Sequence, residues 1–360
     1  MTTDSEIDIK FIRYLDENGS PVSSLPDFAG EQDELLELYR LMTLIRKFDA
    51  KVVSMQRTGQ MGTFASSLGQ EAVSVGIGRA LRQTDLFCPY YRDQGVLVQR
   101  NVKLLEVIQF WGGDERGSRF IGNKEDFPIA IPIATQLVHA VGAAYAIKLR
   151  KQNRVVLSTC GDGGTSEGDF YTALNGAGTW NLPLVFVINN NQWAISVSRK
   201  IQSKSKTLAQ KGIAAGIDCL QVDGNDVIAV KEVVGKALSK AREGGGPTLI
   251  EALSYRLCDH TTADDASRYV DKKELDRAWQ TEPVKRLKTY LLSKDWLSPQ
   301  KEKELEESNQ AEVDQAVEDF LNLTPQAPES IFDYQYGNLP EALLEQRDEL
   351  GLILQPDNRN

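Results

Sequence analysis

The chain has 360 residues, of which 41% are hydrophobic and 26% charged, with a formal net charge of −10. That length suffices for a well-buried core in one large or two modest domains. The acidic balance argues against general affinity for nucleic acid or an anionic membrane surface, though not against a local basic pocket for phosphate. No apolar run approaches the roughly 20 residues that cross a bilayer. The opening Met1-Thr2-Thr3-Asp4-Ser5-Glu6 resembles neither a secretory signal nor a transit peptide. Four scattered cysteines without a C-x-x-C fit reduced thiols in a cytoplasm. Two histidines, His139 and His260, exclude any mechanism that needs several imidazoles.

Residues 1–30 read as an irregular arm, with turns at Asn18-Gly19 and Pro26. A helix follows from Glu31 to about Met55, with Leu35, Leu36, Leu38, Tyr39 and Met42 on one side. Gly69 to Leu81 and Val102 to Trp111 read as further helices. Thr135 to Leu149 reads as a small-residue helix that places His139 in the core or an interface. Alternation then begins: strand Val155 to Leu157, helix from about Glu167 to Trp180, strand Leu184 to Ile188, and helix Thr207 to Ala215. Strand Cys219 to Val222, helix Asp226 to Arg242 and strand Thr248 to Leu253 complete it. Continuous apolar strands alternating with helices predict an α/β fold, a parallel sheet with helices on both faces. Cys258 to Val270 reads as a loop. Two long helices, about Lys272 to Leu292 and Pro299 to Leu323, form a helical C-terminal tail. The expected division is an arm (1–30), a principal domain (31–290) and a C-terminal extension (291–360).

Ligands of such sheets bind outside the carboxyl ends of the strands. Gly161-Asp162-Gly163-Gly164 leaves one strand and Asn189-Asn190-Asn191 leaves another, so both belong on one rim. Three chemistries compete there. A dinucleotide turn requires G-x-G-x-x-G, and Ser166 occupies the third glycine position. A serine-hydrolase elbow fits Gly164-x-Ser166-x-Gly168 with His260 downstream. Yet Gly161 to Thr165 intervene between strand and serine, which places Ser166 as a helix N-cap with Asp169 completing a capping box. A divalent cation explains more residues. Mg²⁺ takes oxygen ligands and commonly combines one or two protein groups with phosphate oxygens. Asp162, Asn191 and a backbone carbonyl would supply them, while Gly161, Gly163 and Gly164 let backbone N–H groups approach an anion. A plain turn and a plain loop remain the bland alternative for each half taken alone.

Gly-Asp-Gly, 26 intervening residues and Asn-Asn (Gly161 to Asn191) resemble the thiamine diphosphate signature. "PYYRDQG" (89–95), "IATQLVHAVGAAYA" (133–146), "GPTLIEALSYR" (246–256) and "HTTADDASRY" (260–269) resemble the alpha subunit of the decarboxylating component of 2-oxo acid dehydrogenase complexes. The similarity runs from about residue 30 to 290. It implies a thiamine diphosphate-binding fold. Mg²⁺ would be held by Asp162, Asn191 and the Trp193 carbonyl, and the diphosphate by Gly163, Gly164, Tyr91 and Arg92. Ile131 and Ile133 would flank the cofactor, and His260 would sit near the reacting centre. Arg256, Asp264 and Tyr269 would order the loop around His260. Thr63 and Phe64 fall where the substrate pocket begins. The resemblance further implies a beta subunit in a two-alpha, two-beta heterotetramer. It implies acyl transfer to the lipoyl domain of the complex's dihydrolipoyl acyltransferase. The implied reaction is oxidative decarboxylation of a 2-oxo acid, pyruvate first and branched-chain 2-oxo acids as the runner-up; acetoin, a hydroxyketone that would be cleaved rather than decarboxylated, is a third alternative substrate. Three positions depart from the family: Trp193 where tyrosine is common, Val270 where arginine is common, and no second histidine near Arg119 to Lys124.

Overall fold

The computed structural model describes residues 9–333 and 335–353. In chain order the elements are β1 (Phe11–Ile12), α1 (Gln32–Arg57), α2 (Glu71–Ala80), β2 (Leu86–Cys88), α3 (Gln94–Gln99), α4 (Leu104–Trp111), α5 (Thr135–Leu149), β3 (Val156–Gly161), α6 (Gly168–Thr179), β4 (Leu184–Asn190), β5 (Trp193–Ala194), β6 (Val197–Ser198), α7 (Arg199–Gln202), β7 (Asp218–Asp223), α8 (Val227–Arg242), β8 (Thr248–Leu253), α9 (Lys272–Gln280), α10 (Pro283–Ser293), α11 (Pro299–Leu321) and α12 (Glu341–Ile353). Six strands form one sheet in the order β1-β7-β8-β4-β3-β2, every pair parallel. β5 and β6 pair antiparallel as a small hairpin.

Every residue of β4 is buried, as expected for a strand covered on both faces. Leu184, Phe186 and Ile188 join the cluster that α5 and α6 form with Leu137, Val141, Phe170 and Leu174. The alternate side chains, Val185 and Val187, turn to the opposite face, and α8 packs on β4, β7 and β8. A second cluster joins Leu35, Leu38 and Met42 of α1, Val75 of α2, Ile228 of α8 and Leu287, Tyr290 and Leu291 of α10. Arg46 of α1 ties that cluster by pairing with Glu71 of α2 at 2.8 Å and Glu282 at 2.6 Å.

Several predicted elements differ from those observed. The arm is not wholly irregular: Phe11 and Ile12 form the sheet's edge strand, in register with Gln221 and Val222. Two residues are too short for periodicity to mark; tertiary pairing makes the strand. The expected helix from Lys272 to Leu292 is two helices. Glu282 caps the second by accepting from the Val284 and Lys285 amides, and Pro283 occupies its first position, which ends one helix and starts the next. The segment 209–215 is a 3-10 helix. His139 is exposed and stacks on Phe127 at 5.8 Å, not in the core. Ser166 is not an N-cap. It lies in a 3-10 turn, and Glu167 precedes α6 without a side-chain cap.

The chain divides into two compact units, the first ending at Val317 and the second beginning at Glu318. The sequence-based boundary at 290/291 falls inside α10. Within the second unit, a 3-10 turn at Pro328–Phe332 packs with α12, and Arg347 pairs with Asp333 at 3.2 Å. Among the described residues, no helix is long and apolar enough to cross a membrane.

Asp226 joins the arm to the sheet. One carboxylate oxygen caps α8 at the Ile228 and Ala229 amides, both 3.1 Å away, and the other accepts from Tyr14 and Leu15 at 2.8 and 2.7 Å. Substituting Asp226→Ala removes the cap and leaves buried donors unpaired, with an expected loss of about 2–4 kcal/mol. Denaturant unfolding of the variant checks this; an unchanged midpoint would show that the arm contributes nothing through this residue.

Candidate active site

β3 and β4 lie side by side with Gly161 opposite Asn189. Asp162 follows the first strand and Asn191 the second, so parallel pairing alone brings them to one rim. A cavity of about 230 Å³ opens there. Tyr91, Arg92, Ile133, Asp162, Gly163, Gly164, Asn191, Trp193 and His260 all line it. Ile131, Thr63 and Phe64 do not. Ile131 is 48% exposed outside the lining, and Phe64 is buried, edge-on to Phe48 and Trp111. The backbone of Phe64 instead braces the loop: its amide donates to Thr262 Oγ1 and its carbonyl accepts from the Thr262 amide.

Asp162 is 1% exposed, and its Oδ2 has no hydrogen-bond partner among the described residues. Burial raises its pKa to about 6, against the pull of Arg256 and Arg199. A buried carboxylate oxygen without a proton donor, lining a cavity, is a ready cation ligand. Gly163 is dictated by packing: an added Cβ would meet Ala194 Cβ at 2.9 Å. Asn191 donates through Nδ2 to Gln70 Oε1 at 2.8 Å and accepts through Oδ1 from the Trp193 amide at 3.2 Å. The Trp193 carbonyl receives Arg256 Nη1 at 3.4 Å, the outer limit of a hydrogen bond, which leaves it available to a stronger electrophile.

The turn that carries this carbonyl is strained. Gln192 and Ile195 have φ of 73° and 54°, and Ala134 across the cavity has 67°. For a β-branched residue the left-handed region is a true outlier, and such strain persists only where surroundings enforce it. At Ile195 the enforcer is Arg256, whose Nη2 donates to the Ile195 carbonyl at 2.8 Å.

Arg256 also grips the loop. Its Nη2 donates to the Tyr269 hydroxyl at 2.7 Å, and that hydroxyl donates to Asp264. Asp264 in turn accepts from the His260 amide at 2.8 Å. The loop is therefore anchored although Val270 replaces the arginine common at that position. Arg92, fully buried, donates to the Ser66 carbonyl and, through Nη2, to the His260 carbonyl at 2.6 Å and its Nδ1 at 3.0 Å. The Tyr91 ring stands edge-on to the His260 imidazole at 6.3 Å. With Nδ1 accepting, the imidazole carries its proton on Nε2. Burial, with the cations Arg92 and Arg256, lowers the His260 pKa to about 4. The ring is therefore neutral at physiological pH, an Nε2–H donor at the cavity.

Sequence reasoning missed three side chains of this constellation. Gln70 holds Asn191. Gln202 donates to the Asp162 carbonyl at 2.9 Å and to Ser166 Oγ at 3.1 Å. Gln136 donates to the Thr159 carbonyl at 2.6 Å beside the cavity. Glutamines carry no positional signature, so no signal in one sequence singles them out. The hydrolase reading fails on geometry: Ser166 is an exposed residue whose Oγ takes Gln202 as its partner, while His260 is committed to Arg92.

A sheet that presents a buried acid, an amide and a neutral imidazole at adjoining strand ends defines a cofactor-dependent α/β enzyme subunit. The model of the dehydrogenase E1 component family matches residues 39–328, and the chain belongs to that family, as an alpha subunit of a thiamine diphosphate-dependent 2-oxo acid dehydrogenase. It is 40% identical over 315 residues to the pyruvate dehydrogenase E1 component subunit alpha of Mycoplasma genitalium, covering 88% of each chain. Its identity to the subunit of the same name from Acholeplasma laidlawii is 40% over 336 residues, 93% of this chain and 97% of that one. The 3-methyl-2-oxobutanoate dehydrogenase subunit alpha of Mycobacterium tuberculosis is 36% identical over 349 residues, 96% of this chain and 94% of that one.

With only two histidines, the titration of His260 is directly readable by NMR. Its folded pKa lies below the ordinary 6.5. Between about pH 6.5 and 4 the unfolded chain therefore binds the proton first, and this group's contribution to stability falls as pH falls through that window. The expected imidazole midpoint is near pH 4; a value of 6 or above would mean that burial and the two arginines do not control the ring.

Proposed function

We propose that the chain is the alpha subunit of a pyruvate dehydrogenase E1 component, which decarboxylates pyruvate and passes the acetyl group to a lipoyl group of the complex's acyltransferase. The observation that carries the cofactor site is the unpartnered Asp162 Oδ2 beside the Asn191 side chain in one cavity. Its oxygen donors suit Mg²⁺. Asp162 Oδ2, Asn191 Oδ1 and the Trp193 carbonyl would hold that ion. The backbone amides of Gly163 and Gly164, with Tyr91 and Arg92, would hold the diphosphate. Arg92 keeps Nε–H and one Nη1–H without a hydrogen bond among the described residues, so its existing contacts do not exhaust it. Ile131 and Ile133 would meet the cofactor through backbone atoms.

Thiamine diphosphate supplies an electron sink for the carbon–carbon bond that breaks on loss of CO₂. This chain's own part is to bind, orient and exclude water. The neutral His260 would donate its Nε2–H to a substrate oxygen and exchange that proton during acyl transfer. Arg92 suppresses its protonation and fixes the ring. Arg256, Tyr269 and Asp264 would hold the loop that carries it, and Thr63 with Phe64 would mark the approach to the 2-oxo acid pocket.

A beta subunit is part of this reading. Ile133 and Ile195, 46% and 58% exposed at the cavity rim, are apolar surfaces that a partner would cover. The arrangement would be a heterotetramer of two alpha and two beta chains. Pyruvate is preferred because the relatives at 40% identity carry that name and the branched-chain relative stands at 36%.

Coexpression with a beta subunit and assay with a one-electron acceptor tests the substrate. The expected kcat/KM favours pyruvate over 3-methyl-2-oxobutanoate by about tenfold or more, the discrimination available to a pocket that rejects extra methyl groups. The reverse preference would assign the chain to branched-chain acids, and the isolated alpha chain is expected to be nearly inactive. Asp162→Ala and Asn191→Ala should each weaken Mg²⁺-dependent thiamine diphosphate binding by roughly 100-fold, about 2.7 kcal/mol. Calorimetry showing unchanged affinity in both would overturn the site.

A further inference from the structure

We infer that Gln70 is a positioning residue for the cation site, acting through Asn191. The inference rests on the proposed function in taking Asn191 as a metal ligand. A carboxamide presents oxygen or nitrogen depending on a half-turn of its plane, and only the oxygen binds a cation. Asn191 is pinned from two sides. The Trp193 amide needs the oxygen at 3.2 Å, and Gln70 Oε1 needs the nitrogen at 2.8 Å. The Trp193 contact is long and comes from the turn that carries the third proposed ligand. Gln70 is the firmer constraint.

The Gln70 side chain is built in rather than incidental. It is 0% exposed and 121 residues from Asn191 in sequence. It sits at the start of α2, between two fixed neighbours. Gly69 has φ of 86°, and a Cβ on it would meet the Tyr255 carbonyl at 2.3 Å. Glu71 is locked by Arg46 and accepts from the Gly69 amide at 3.0 Å. The Gln70 Nε2 has no partner among the described residues. The side chain's one hydrogen bond among the described residues is thus the one that Oε1 accepts from Asn191. The sequence therefore keeps the amide for its one working atom, Oε1. Removing that acceptor leaves the Asn191 amide free to turn its nitrogen toward the cavity, where it cannot ligate.

The test uses the full chain coexpressed with its beta subunit and stripped of metal and cofactor. Mg²⁺ affinity is measured by calorimetry in the presence of thiamine diphosphate. Apo thermal unfolding is followed in parallel. Gln70→Met keeps shape and loses the acceptor; the expected weakening of Mg²⁺ binding is about 10- to 100-fold, the size typical of residues that orient a metal ligand, with little change in apo unfolding. Gln70→Glu keeps an acceptor for the Asn191 amide and should bind Mg²⁺ more tightly than Gln70→Met. If Gln70→Met does not fold, Gln70→Asn replaces it, polar but one carbon short of Asn191, with the same expected weakening. Parent-like Mg²⁺ affinity in the acceptor-less variant, with Asn191→Ala impaired, overturns the role of Gln70 and leaves the metal reading standing. Unchanged affinity in Asn191→Ala as well overturns both.

Discussion

The site depends on one pairing. β3 and β4 run parallel in register, Gly161 opposite Asn189, and each strand hands its next residues to the same rim. A shift of one residue would turn every β4 side chain to the other face and displace Asn191. The register is held by burial: Leu184, Phe186 and Ile188 must meet α5 and α6, while Val185 and Val187 must face the other side. The apolar core therefore sets the position of two polar groups that take no part in it.

Once Asp162 is drawn into that rim, burial does the chemistry. Burial withdraws the carboxylate from water, its pKa rises to about 6, and one oxygen is left without a partner among the described residues. The same withdrawal from solvent keeps His260 neutral, helped by Arg92 and Arg256. An acid made eager for a cation and an imidazole kept as a donor share one cause, withdrawal from water; the surrounding arginines reinforce it at His260 and oppose it at Asp162.

Arg256 links the two halves of the site. It reaches the Trp193 and Ile195 carbonyls on one side and Tyr269 and His260 on the other. The strained 192–195 turn and the histidine loop are thus tied to each other by one guanidinium, whose planar fork suits several fixed acceptors better than a lysine could. Loss of this residue would loosen both together.

Periodicity and composition were enough to read four of the six parallel strands, α1, α5, α8 and the two strand-end motifs. Apolar strands and amphipathic helices carry their burial in their spacing. The resemblance of the motifs added roles to residues such as His260 and Tyr91. Short or composite features escaped. β1 is two residues long, and the helix break at Thr281 lies inside a pattern that continues across it. Phe64 was placed beside the substrate pocket by resemblance alone; its packing, edge-on to Phe48 and Trp111, came only with the tertiary structure.

The sequence by itself determined which residues could chelate, cradle or transfer a proton, because side-chain chemistry and spacing along strands are local properties. Only the tertiary structure decided which glutamine orients Asn191, which arginine fixes the histidine tautomer and how far burial moves a pKa. Those depend on partners 121 and 168 residues away in the chain, and distance in space is set by the core as a whole.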